Sequence, residues 1–391
     1  MTEVLIVDAL RTPFGSFGGT LAEVSAPQLA AQVLSRLLAK HTLPAAAVDE
    51  VILGQVLQGG CAQAPARQAM RFAGIPDSTH AMTINKVCGS GLKSMMLAAQ
   101  SIRLGDSDVV LAGGMESMSL SPYALPGARF GQRMGNGEML DLMIHDGLRD
   151  PYSGRHMGEI TETWIEKCGV SRQEQDAFAE RSYRLAQAAL ANGTFKDELV
   201  PVVRQGRKGE VVVAADEEPH KVDFARLPSL KSVFKKDGTI TAGNASTIND
   251  GAGAALLVSE TAARTHNLRP VARLVAYATN STSPDLFAEA PVAAIRKVAE
   301  RAALKLSDIG LFEINEAFAA VPLVAIRELG LDPDKVNVNG GAVAIGHPIG
   351  GSGARLAATL LREMRVRRVR YGLATLCIGG GEAVAVVFEA L

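Results

Sequence analysis

The sequence is poor in cysteine and in aromatic residues. Its 391 residues include four cysteines and one tryptophan, and aromatic residues make up 5% of the chain. The cysteines lie far apart and form no C-x-x-C pair; they are Cys61, Cys88, Cys168 and Cys377. This spacing argues against a zinc site and against a disulfide-rich secreted domain. We therefore expect a protein of the reducing cytoplasm that holds no metal.

An excess of charge of one sign is also missing. Forty basic and forty-one acidic residues give a formal net charge of −1, which argues against a dedicated nucleic-acid or membrane surface. The chain has no run of about 18 apolar residues that could span a bilayer. Residues 1–15 enter a strand pattern directly, without the basic start of a signal peptide. We expect small-molecule partners rather than nucleic acid or membrane.

What the sequence does have is an alternation of short apolar strands and amphipathic helices. This order predicts βαβ units and a largely parallel sheet. In the first part of the chain the pattern runs through 3–9 (strand), 26–41 (helix), 48–57 (strand), the helix after Cys88 and 107–114 (strand). In the second part it runs through 270–278 (strand), 290–304 (helix), 308–318 (strand), 350–364 (helix) and 370–381 (strand).

The second part repeats the first in its glycine placement as well. Ser90-Gly91 and Ser352-Gly353 each open a predicted helix, and "VVLAGGME" matches "ATLCIGGGE". The strand that should close the first half comes only at 251–260, which indicates a long insertion. We predict two similar α/β halves packed together, formed by 1–118 plus 246–269 and by 270–391, with an inserted loop domain at 119–245.

Cys88 stands where an apolar strand gives way to a predicted helix. Apolar residues recur downstream at helical spacing, and a glycine marks the expected helix end: Leu92, Met95, Met96, Ala99, Ile102 and Gly105. Backbone N–H groups at a helix start favour a thiolate, so we expect a lowered pKa for the Cys88 thiol. A free cysteine is also commonly a small buried apolar residue, and this stretch alone leaves both interpretations open.

Other reactive side chains follow strands of the second half. Asn315 in "NEAF", His347 in "GHPIGGSG" and Cys377 in "CIGGG" fall in loops of the kind where α/β proteins build sites. An imidazole can take the proton of a nucleophilic thiol, and a second thiol could move the proton of a carbon acid. Glycine-rich turns can also offer N–H groups to an oxyanion. Each residue alone is also typical of packing or turns, so the prediction of a reaction centre depends on the set.

Four ordered motifs, "VCGSGLKS", "NEAFA", "GGAVAIGHPIGGSG" and "CIGGGEA", resemble the thiolase family, which makes or cleaves the bond between C2 and C3 of 3-oxoacyl-CoA. The resemblance covers essentially the whole chain, including "RTPFGSFGG" and "TAGNASTINDGA". It implies a duplicated thiolase-like fold with an inserted loop domain. It also implies acetyl-CoA, acetoacetyl-CoA and CoA as substrates and products, with no separate cofactor.

The resemblance assigns a role to each residue of the predicted centre. Cys88 would hold the acyl group as a thioester, His347 would activate it, and Cys377 would move the α-proton of acetyl-CoA. Asn315 would hold a water that joins His347 in one oxyanion hole. The backbone N–H groups of Cys88 and Gly379 would form the other.

The same resemblance predicts the CoA-binding positions. Those for the pantetheine arm are Leu148, His156, Met157, Phe234, Ala242, Ser246 and Phe318. The "HMG" at 156–158 is similar to the short-chain acetoacetyl-CoA thiolases, and segment 121–148 is similar to the part that joins two dimers into a homotetramer. Pro219 and Arg226 depart from the pattern, since short-chain members commonly have arginine and serine there. We expect His220, Lys221 and Arg226 to supply replacement charge for the nucleotide end of CoA.

Four other functions remain to be weighed. A thiolase of fatty-acid degradation with broader chain-length range would share the same motifs. A papain-like cysteine hydrolase would use Cys88, His347 and Asn315, but it leaves Cys377 unexplained. A decarboxylating condensing enzyme is expected to have a second histidine where Asn315 stands. A non-catalytic acyl-CoA-binding relative would have no need of the four reactive side chains.

Overall fold

The structure of the protein is a computed structural model, which describes residues 2–207 and 209–391. In chain order the strands are β1 Val4–Arg11, β2 Gly15–Ser16, β3 Glu50–Gly54, β4 His80–Ile84, β5 Val109–Ser117, β6 Tyr123–Ala124, β7 Leu140–Asp141, β8 Val202–Gly206, β9 Gly209–Val213, β10 Asn249–Ser259, β11 Ala272–Ser281, β12 Leu311–Ile314, β13 Tyr371–Ile378 and β14 Glu382–Ala390.

The four helices predicted from the sequence are present close to their predicted positions, and the structure adds others that the sequence analysis did not predict. They are α1 Ala26–Lys40, α2 Pro65–Phe72, α3 Ser90–Leu104, α4 Met157–Cys168, α5 Arg172–Ala191, α6 Glu260–Thr265, α7 Ala290–Arg301, α8 Ala320–Leu329, α9 Ala342–Ile345 and α10 Ser352–Arg367. A π-helix spans Met143–Leu148. Within the two described ranges, no helix combines the length and the apolar character that crossing a membrane requires.

One large sheet runs through the molecule in the order β4-β3-β5-β10-β1-β11-β14-β13-β12, with β2 paired to β10. The prediction of a largely parallel sheet is wrong, because only the β3–β4, β3–β5 and β12–β13 pairs are parallel in the part of the chain that the structure describes. The reason is that the last strand of each half, β10 in the first and β14 in the second, runs antiparallel to both of its neighbours in the central strand order. A short glycine turn after β13 leads directly into β14, and so short a connection permits only antiparallel pairing.

The predicted repeat is present in the strand order. The first half places its strands in the order β4-β3-β5-β10-β1 across the sheet. The second half follows the same order with β12, β13, β14 and β11, and a parallel bridge between Phe312 and Val336 stands where the outermost strand would be. The two halves join where β1 pairs with β11. This arrangement confirms two pseudo-symmetric halves.

Helix α3 of the first half packs against helix α10 of the second half, and strands of both halves pack against this helix pair. The predicted apolar face of α3 is buried, and it packs with residues of α10 in one cluster: Leu92, Met95, Met96, Ala99, Ile102, Leu356, Leu360 and Met364. Their first turns meet through glycine, since a Cβ on Gly353 would lie 2.3 Å from the backbone nitrogen of Leu92. A Cβ on Gly91 would lie 2.8 Å from the carbonyl oxygen of Gly350. The loops that precede the two helices are therefore held side by side.

The segment between β5 and β10 contains the β6–β7 and β8–β9 pairs together with α4 and α5. It is tied to β1 by the buried guanidinium of Arg11, which donates to both carboxylate oxygens of Asp216 at 2.7 and 2.9 Å. The Nε atom of Arg11 donates to Glu198 at 2.7 Å. The division at 119–245 stays a prediction, and the direct pairing of β5 with β10 supports it.

Candidate active site

A cavity of about 300 Å³ lies in front of the starts of α3 and α10. Most of the predicted site residues line it: Cys88, Leu148, His156, Met157, Phe234, Ser246, Phe318, His347, Cys377 and Gly379. Lining residues that the sequence analysis did not single out are Val87, Met118, Ile144, Gly147, Val233, Ala245, Thr247, Ile248, Phe287, Ala317 and Ile349. Most of these are apolar, so the cavity combines a few reactive groups with a largely apolar wall.

Cys88 lies half-buried two residues before the first residue of α3. The residue before it, Val87, has a φ angle of 45°, which is an unusual conformation for a β-branched side chain and marks a tight turn. The backbone N–H groups of Gly379 and of Cys88 itself donate toward the sulfur and favour the thiolate. Burial outweighs them and raises the pKa of the Cys88 thiol to about 11. The expectation of a lowered pKa is therefore wrong, because desolvation by the surrounding walls exceeds the effect of the helix start.

His347 is buried and held by two neighbours that the sequence did not reveal. Its backbone N–H donates to Asn249 Oδ1 at 2.9 Å, and its Nδ1 lies 2.6 Å from Ser352 Oγ. Its Nε2 is buried and has no hydrogen-bond partner within residues 2–207 and 209–391. Burial, assisted by the charge of Arg355, lowers the pKa of His347 to about 4. The ring is therefore neutral at physiological pH, with one nitrogen available for chemistry.

Cys377 is buried at the end of β13 and lines the same cavity as Cys88. Burial and the nearby charge of Cys88 raise the pKa of the Cys377 thiol well above its usual range. The two cysteine loops pack closely, since a Cβ on Gly89 would lie 2.4 Å from Ile378 Cδ1. Both cysteines are therefore protonated thiols in the absence of substrate, and both line the same cavity.

Asn315 directly follows β12, where its N–H donates to the Thr375 carbonyl at 3.0 Å. It is buried and is not among the residues that line the cavity. Its side-chain Oδ1 and Nδ2 atoms have no partner in the described part of the chain. The next residue, Glu316, accepts hydrogen bonds from Ser182 Oγ at 2.7 Å and Asn337 Nδ2 at 2.8 Å, which fixes this turn.

The buried carboxylate of Glu116, near the end of β5, also holds the loops of the site in place. It accepts hydrogen bonds from the N–H groups of Val56 and Leu57 at 3.0 Å, and from that of Gly350 at 2.8 Å. Burial raises the pKa of Glu116 to about 7. This carboxylate joins the loop after β3 to the loop that carries His347. Its place in the repeated "VVLAGGME" strand was the only signal for it in the sequence.

The outer wall of the cavity is aromatic. His156 is the N-cap of α4, where its Nδ1 accepts the Gly158 N–H at 3.0 Å, so its Nε2 carries the proton. The ring stacks on Phe234 with centroids 4.7 Å apart, and Phe234 meets Phe318 edge to face. Burial lowers the pKa of His156, which keeps it neutral. The wall thus offers one N–H donor on an otherwise apolar surface.

Two further grooves continue from the cavity toward the surface. One of about 450 Å³ shares Phe234, Ser246 and Thr247 with the cavity, and includes Ala242. The next, of about 250 Å³, includes Ala242 and Arg226. Together they form a path from the two thiols to a charged outer end.

The predicted basic residues of this outer end are not equivalent. Arg226 is exposed and lines the last groove, whereas His220 is exposed and lines none of these three openings. Lys221 lines both outer grooves and already contacts Ser16 Oγ and the Glu217 carboxylate, the latter at 3.0 Å. Within residues 2–207 and 209–391, no cluster of three His, Cys, Asp or Glu side chains could hold a metal ion.

The family follows from comparison with known proteins. The family model described as "Thiolase, N-terminal domain" matches residues 4–261, and "Thiolase, C-terminal domain" matches residues 268–390. The chain belongs to the thiolase family. Within this family, an acetyl-CoA acetyltransferase of Pseudomonas aeruginosa is 51% identical over 387 residues, covering 98% of each chain. A "Probable acetyl-CoA acyltransferase" of Staphylococcus aureus is 48% identical over 389 residues, covering 99% of each chain.

A solved thiolase structure gives the same fold. The crystal structure of the Bacillus anthracis acetyl-CoA acetyltransferase matches with a TM-score of 0.98 and 44% sequence identity, covering 100% of this chain and 99% of that one. The thiolase fold and family predicted from the motifs are therefore confirmed. The roles of the individual site residues stay predictions.

Proposed function

We propose that the protein is an acetyl-CoA C-acetyltransferase, which condenses two acetyl-CoA reversibly to acetoacetyl-CoA and CoA. The observation that carries the proposal is that Cys88, Cys377 and His347 line one cavity. A hydrolase would need only one of these thiols. A carbon–carbon bond-forming acyltransferase needs a nucleophile and also a base for the α-proton.

In the first half-reaction Cys88 Sγ attacks the thioester carbonyl of acetyl-CoA and gives its proton to His347 Nε2. The C–S bond to CoA breaks and the leaving CoA thiolate takes the proton of Cys377. CoA therefore departs as the thiol, Cys377 becomes a thiolate, and the acetyl group remains on Cys88. The N–H groups of Gly379 and Cys88, which point toward the sulfur, support a role in stabilising the carbonyl oxygen of this acyl group.

In the second half-reaction the Cys377 thiolate, formed when CoA left, takes the α-proton of a second acetyl-CoA and becomes a thiol again. The negative charge moves to the thioester oxygen, for which the Nε2–H of His347, protonated in the first half-reaction, and a water held by Asn315 would be the hydrogen-bond donors. The carbanion attacks the acetyl group on Cys88, and the C–S bond to Cys88 breaks to give acetoacetyl-CoA. Cys88 takes its proton back from His347 Nε2 and returns to the free thiol. In the unacylated protein the charge of Cys88 acts on the pKa of Cys377, which indicates that the two sulfurs lie close together. That proximity supports this division of roles.

CoA is a substrate and product in this scheme, and the proposal includes no separate cofactor. We infer that the pantetheine arm lies along Met157, Phe234 and Ser246, with the nucleotide end near Arg226 and Lys221. The continuity of the three openings supports this placement. His220 is the weakest member of the predicted set, because its side chain lies outside them.

We also propose a homotetramer that works in the cytoplasm. Exposed apolar side chains concentrate in segment 121–148, which is consistent with a protein contact there: Tyr123, Leu125, Phe130, Met134 and Met139. Light scattering should then give four times the 41.1 kDa mass of one chain. A monomer or dimer over the working concentration range would contradict the tetramer and leave the reaction proposal untouched.

The reaction is tested by CoA-dependent loss of acetoacetyl-CoA with the purified protein, run beside Cys88→Ser and Cys377→Ser. Cys168→Ser is a matched control, because Cys168 is also half-buried and lines a different groove. We expect turnover in the wild type and control only. Incubation with acetyl-CoA should add one acetyl group to Cys88 in the wild type and in Cys377→Ser, detected by peptide mass, and none in Cys88→Ser.

The same assay separates the alternatives. Equal turnover of acetoacetyl-CoA and a long-chain 3-oxoacyl-CoA would favour the broader-chain thiolase over the short-chain enzyme. A folded wild type that turns over neither substrate would refute the reaction and favour an acyl-CoA-binding protein.

A further inference from the structure

Ser352, the first residue of α10, makes two short contacts through its hydroxyl oxygen. Oγ lies 2.6 Å from His347 Nδ1 and 3.0 Å from the Pro348 carbonyl oxygen. Ser352 and His347 are both buried. These contacts bear on which nitrogen of the neutral imidazole carries its proton, because a bond at one ring nitrogen determines the state of the other.

The number of protons decides between the two arrangements. A serine hydroxyl has one hydrogen to donate and can accept from other donors. If that hydrogen pointed to Nδ1, two oxygen atoms would face each other at 3.0 Å without a hydrogen between Ser352 and Pro348. If it points to the carbonyl, both contacts become hydrogen bonds, and His347 must donate from Nδ1.

The repeated half of the molecule shows this arrangement with a donor that is not ambiguous. Ser90, at the equivalent start of α3, donates to the Val87 carbonyl at 2.6 Å and accepts the backbone N–H of Lys86 at 2.8 Å. An amide N–H can only donate, so the Ser90 hydroxyl hydrogen must point to the carbonyl. In the second half an imidazole nitrogen takes the place of that amide.

We propose that Ser352 is a positioning residue that holds His347 as the Nδ1–H tautomer and thereby leaves the Nε2 lone pair to receive the Cys88 proton. This inference rests on the proposed function for its catalytic meaning. When Cys88 attacks, its S–H bond breaks and an N–H bond forms at Nε2. The Nδ1–H···Oγ bond persists in the imidazolium and strengthens with its charge.

The charged and titratable groups around the ring agree with a neutral resting pair. The Cys88 and Cys377 thiols line the same cavity, Arg355 lies one turn further along α10, and Glu116 accepts the N–H of Gly350. Arg355 opposes a positive charge on the imidazole. Unlike a carboxylate, the Ser352 hydroxyl gives the imidazolium no compensating charge, so it orients the ring without fixing a permanent ion pair.

The tautomer can be read directly in the wild-type protein. Selectively ¹⁵N-histidine-labelled protein is studied by long-range ¹H–¹⁵N correlation at neutral pH, and the His347 signals are assigned by their loss in His347→Asn. We expect an amine-like Nδ1 and an imine-like Nε2. The opposite pattern would overturn the proposal whether or not the protein has thiolase activity.

The variant Ser352→Ala tests the consequence, with Ser94→Ala as its matched control. Ser94 is a buried serine on α3. Its hydroxyl contacts the Gly91 and Gly113 carbonyls at 2.7 Å and makes no hydrogen bond to Cys88 or His347. We expect Ser352→Ala to lower kcat by about ten- to hundredfold, the effect of losing a hydrogen bond to a group that becomes charged, with little change in KM. Iodoacetamide should also alkylate Cys88 more slowly.

The outcomes distinguish this inference from the reaction itself. Wild-type kcat and wild-type alkylation in folded Ser352→Ala would overturn the role of Ser352 while leaving the proposed function intact. An equal loss of kcat in Ser94→Ala would assign the effect to packing and would also overturn it. If Ser352→Ala does not fold, the wild-type tautomer measurement remains decisive.

Discussion

The contact between the first turns of α3 and α10 makes Gly353→Ala an informative perturbation. The added Cβ would lie 2.3 Å from Leu92 N and 2.9 Å from the Gly91 carbonyl carbon, whereas ordinary contact begins at 3.4 Å. Both neighbours are backbone atoms and cannot rotate away. The helices must therefore separate by about 1 Å, and overpacking of this kind costs about 1–3 kcal/mol. The better helix propensity of alanine offsets about 1 kcal/mol of that cost.

The larger effect should be on rate. Cys88 and His347 lie in the loops just before these helices, so the separation moves one relative to the other. A misplacement of about 1 Å can reduce a rate by about a hundredfold. We expect Gly353→Ala to lose about two orders of magnitude in kcat for thiolysis of acetoacetyl-CoA, with only a modest fall in melting temperature.

The control for this experiment is Gly127→Ala. A Cβ at Gly127 has nothing within 4 Å, and the residue is exposed with a negative φ angle. Because Gly127 lies within segment 121–148, light scattering should first show that this variant keeps the oligomeric state of the wild type. It should then match the wild type in both kcat and melting temperature. If Gly353→Ala also matched the wild type in both, the helix contact would not set the spacing of the reactive loops.

Three other predictions follow from the buried charges and from the aromatic wall. Asp216→Ala leaves the Arg11 guanidinium buried with one partner fewer. Chemical denaturation should then show that the free energy of unfolding falls by about 3–5 kcal/mol. An unchanged denaturation midpoint would contradict the stabilising role of this contact between the inserted segment and β1. Burial lowers the pKa of His347 to about 4, so the imidazole stays a neutral base as the pH falls. Protonation of His347 should therefore lower kcat/KM only below about pH 5. An acid limb with a midpoint near 6.5 that is absent from His347→Asn would refute this. Phe234→Leu removes the stacking partner of His156. Such a stacking interaction contributes about 0.5–1.5 kcal/mol, so KM for CoA should rise about two- to tenfold while kcat stays nearly unchanged. An equal fall in kcat would indicate that Phe234 acts in the chemical step instead.

Local sequence patterns predicted the main strands of both halves and the helices α1, α3, α7 and α10, because these helices have clear apolar faces and marked ends. The face that begins at Leu92 and the stop at Gly105 are both found in α3. The direction of strand pairing was harder to predict, since an apolar strand looks the same whether its neighbour runs parallel or antiparallel. The glycine turn at 379–381, which leads back into β14, was the available signal for an antiparallel end.

The site was predictable in its residues but not in its electrostatics. Cys88, His347 and Cys377 were identified from loops at strand ends, and the structure places them around one cavity. The predicted direction of the Cys88 pKa shift is wrong, because the burial that raises this pKa depends on cavity walls contributed by distant segments, such as the one that carries Met157. Ser352 was visible only as part of a repeat. A serine at a helix start commonly serves as a cap, so its contact with His347 needed three-dimensional coordinates.

The cavity lies between two copies of one structural unit, and each copy supplies a different part of the chemistry. The helix start of one copy carries the cysteine that would bear the acyl group, and the matching helix start of the other carries the serine that holds the histidine. Two identical units that paired to form such a cavity would carry the same residues at both helix starts. Here both units belong to one chain and their sequences differ, so one loop carries Cys88 and the other carries His347. The single chain can therefore place one copy of each reactive side chain in the cavity, whereas a symmetric dimer of half-length chains would present each of them twice.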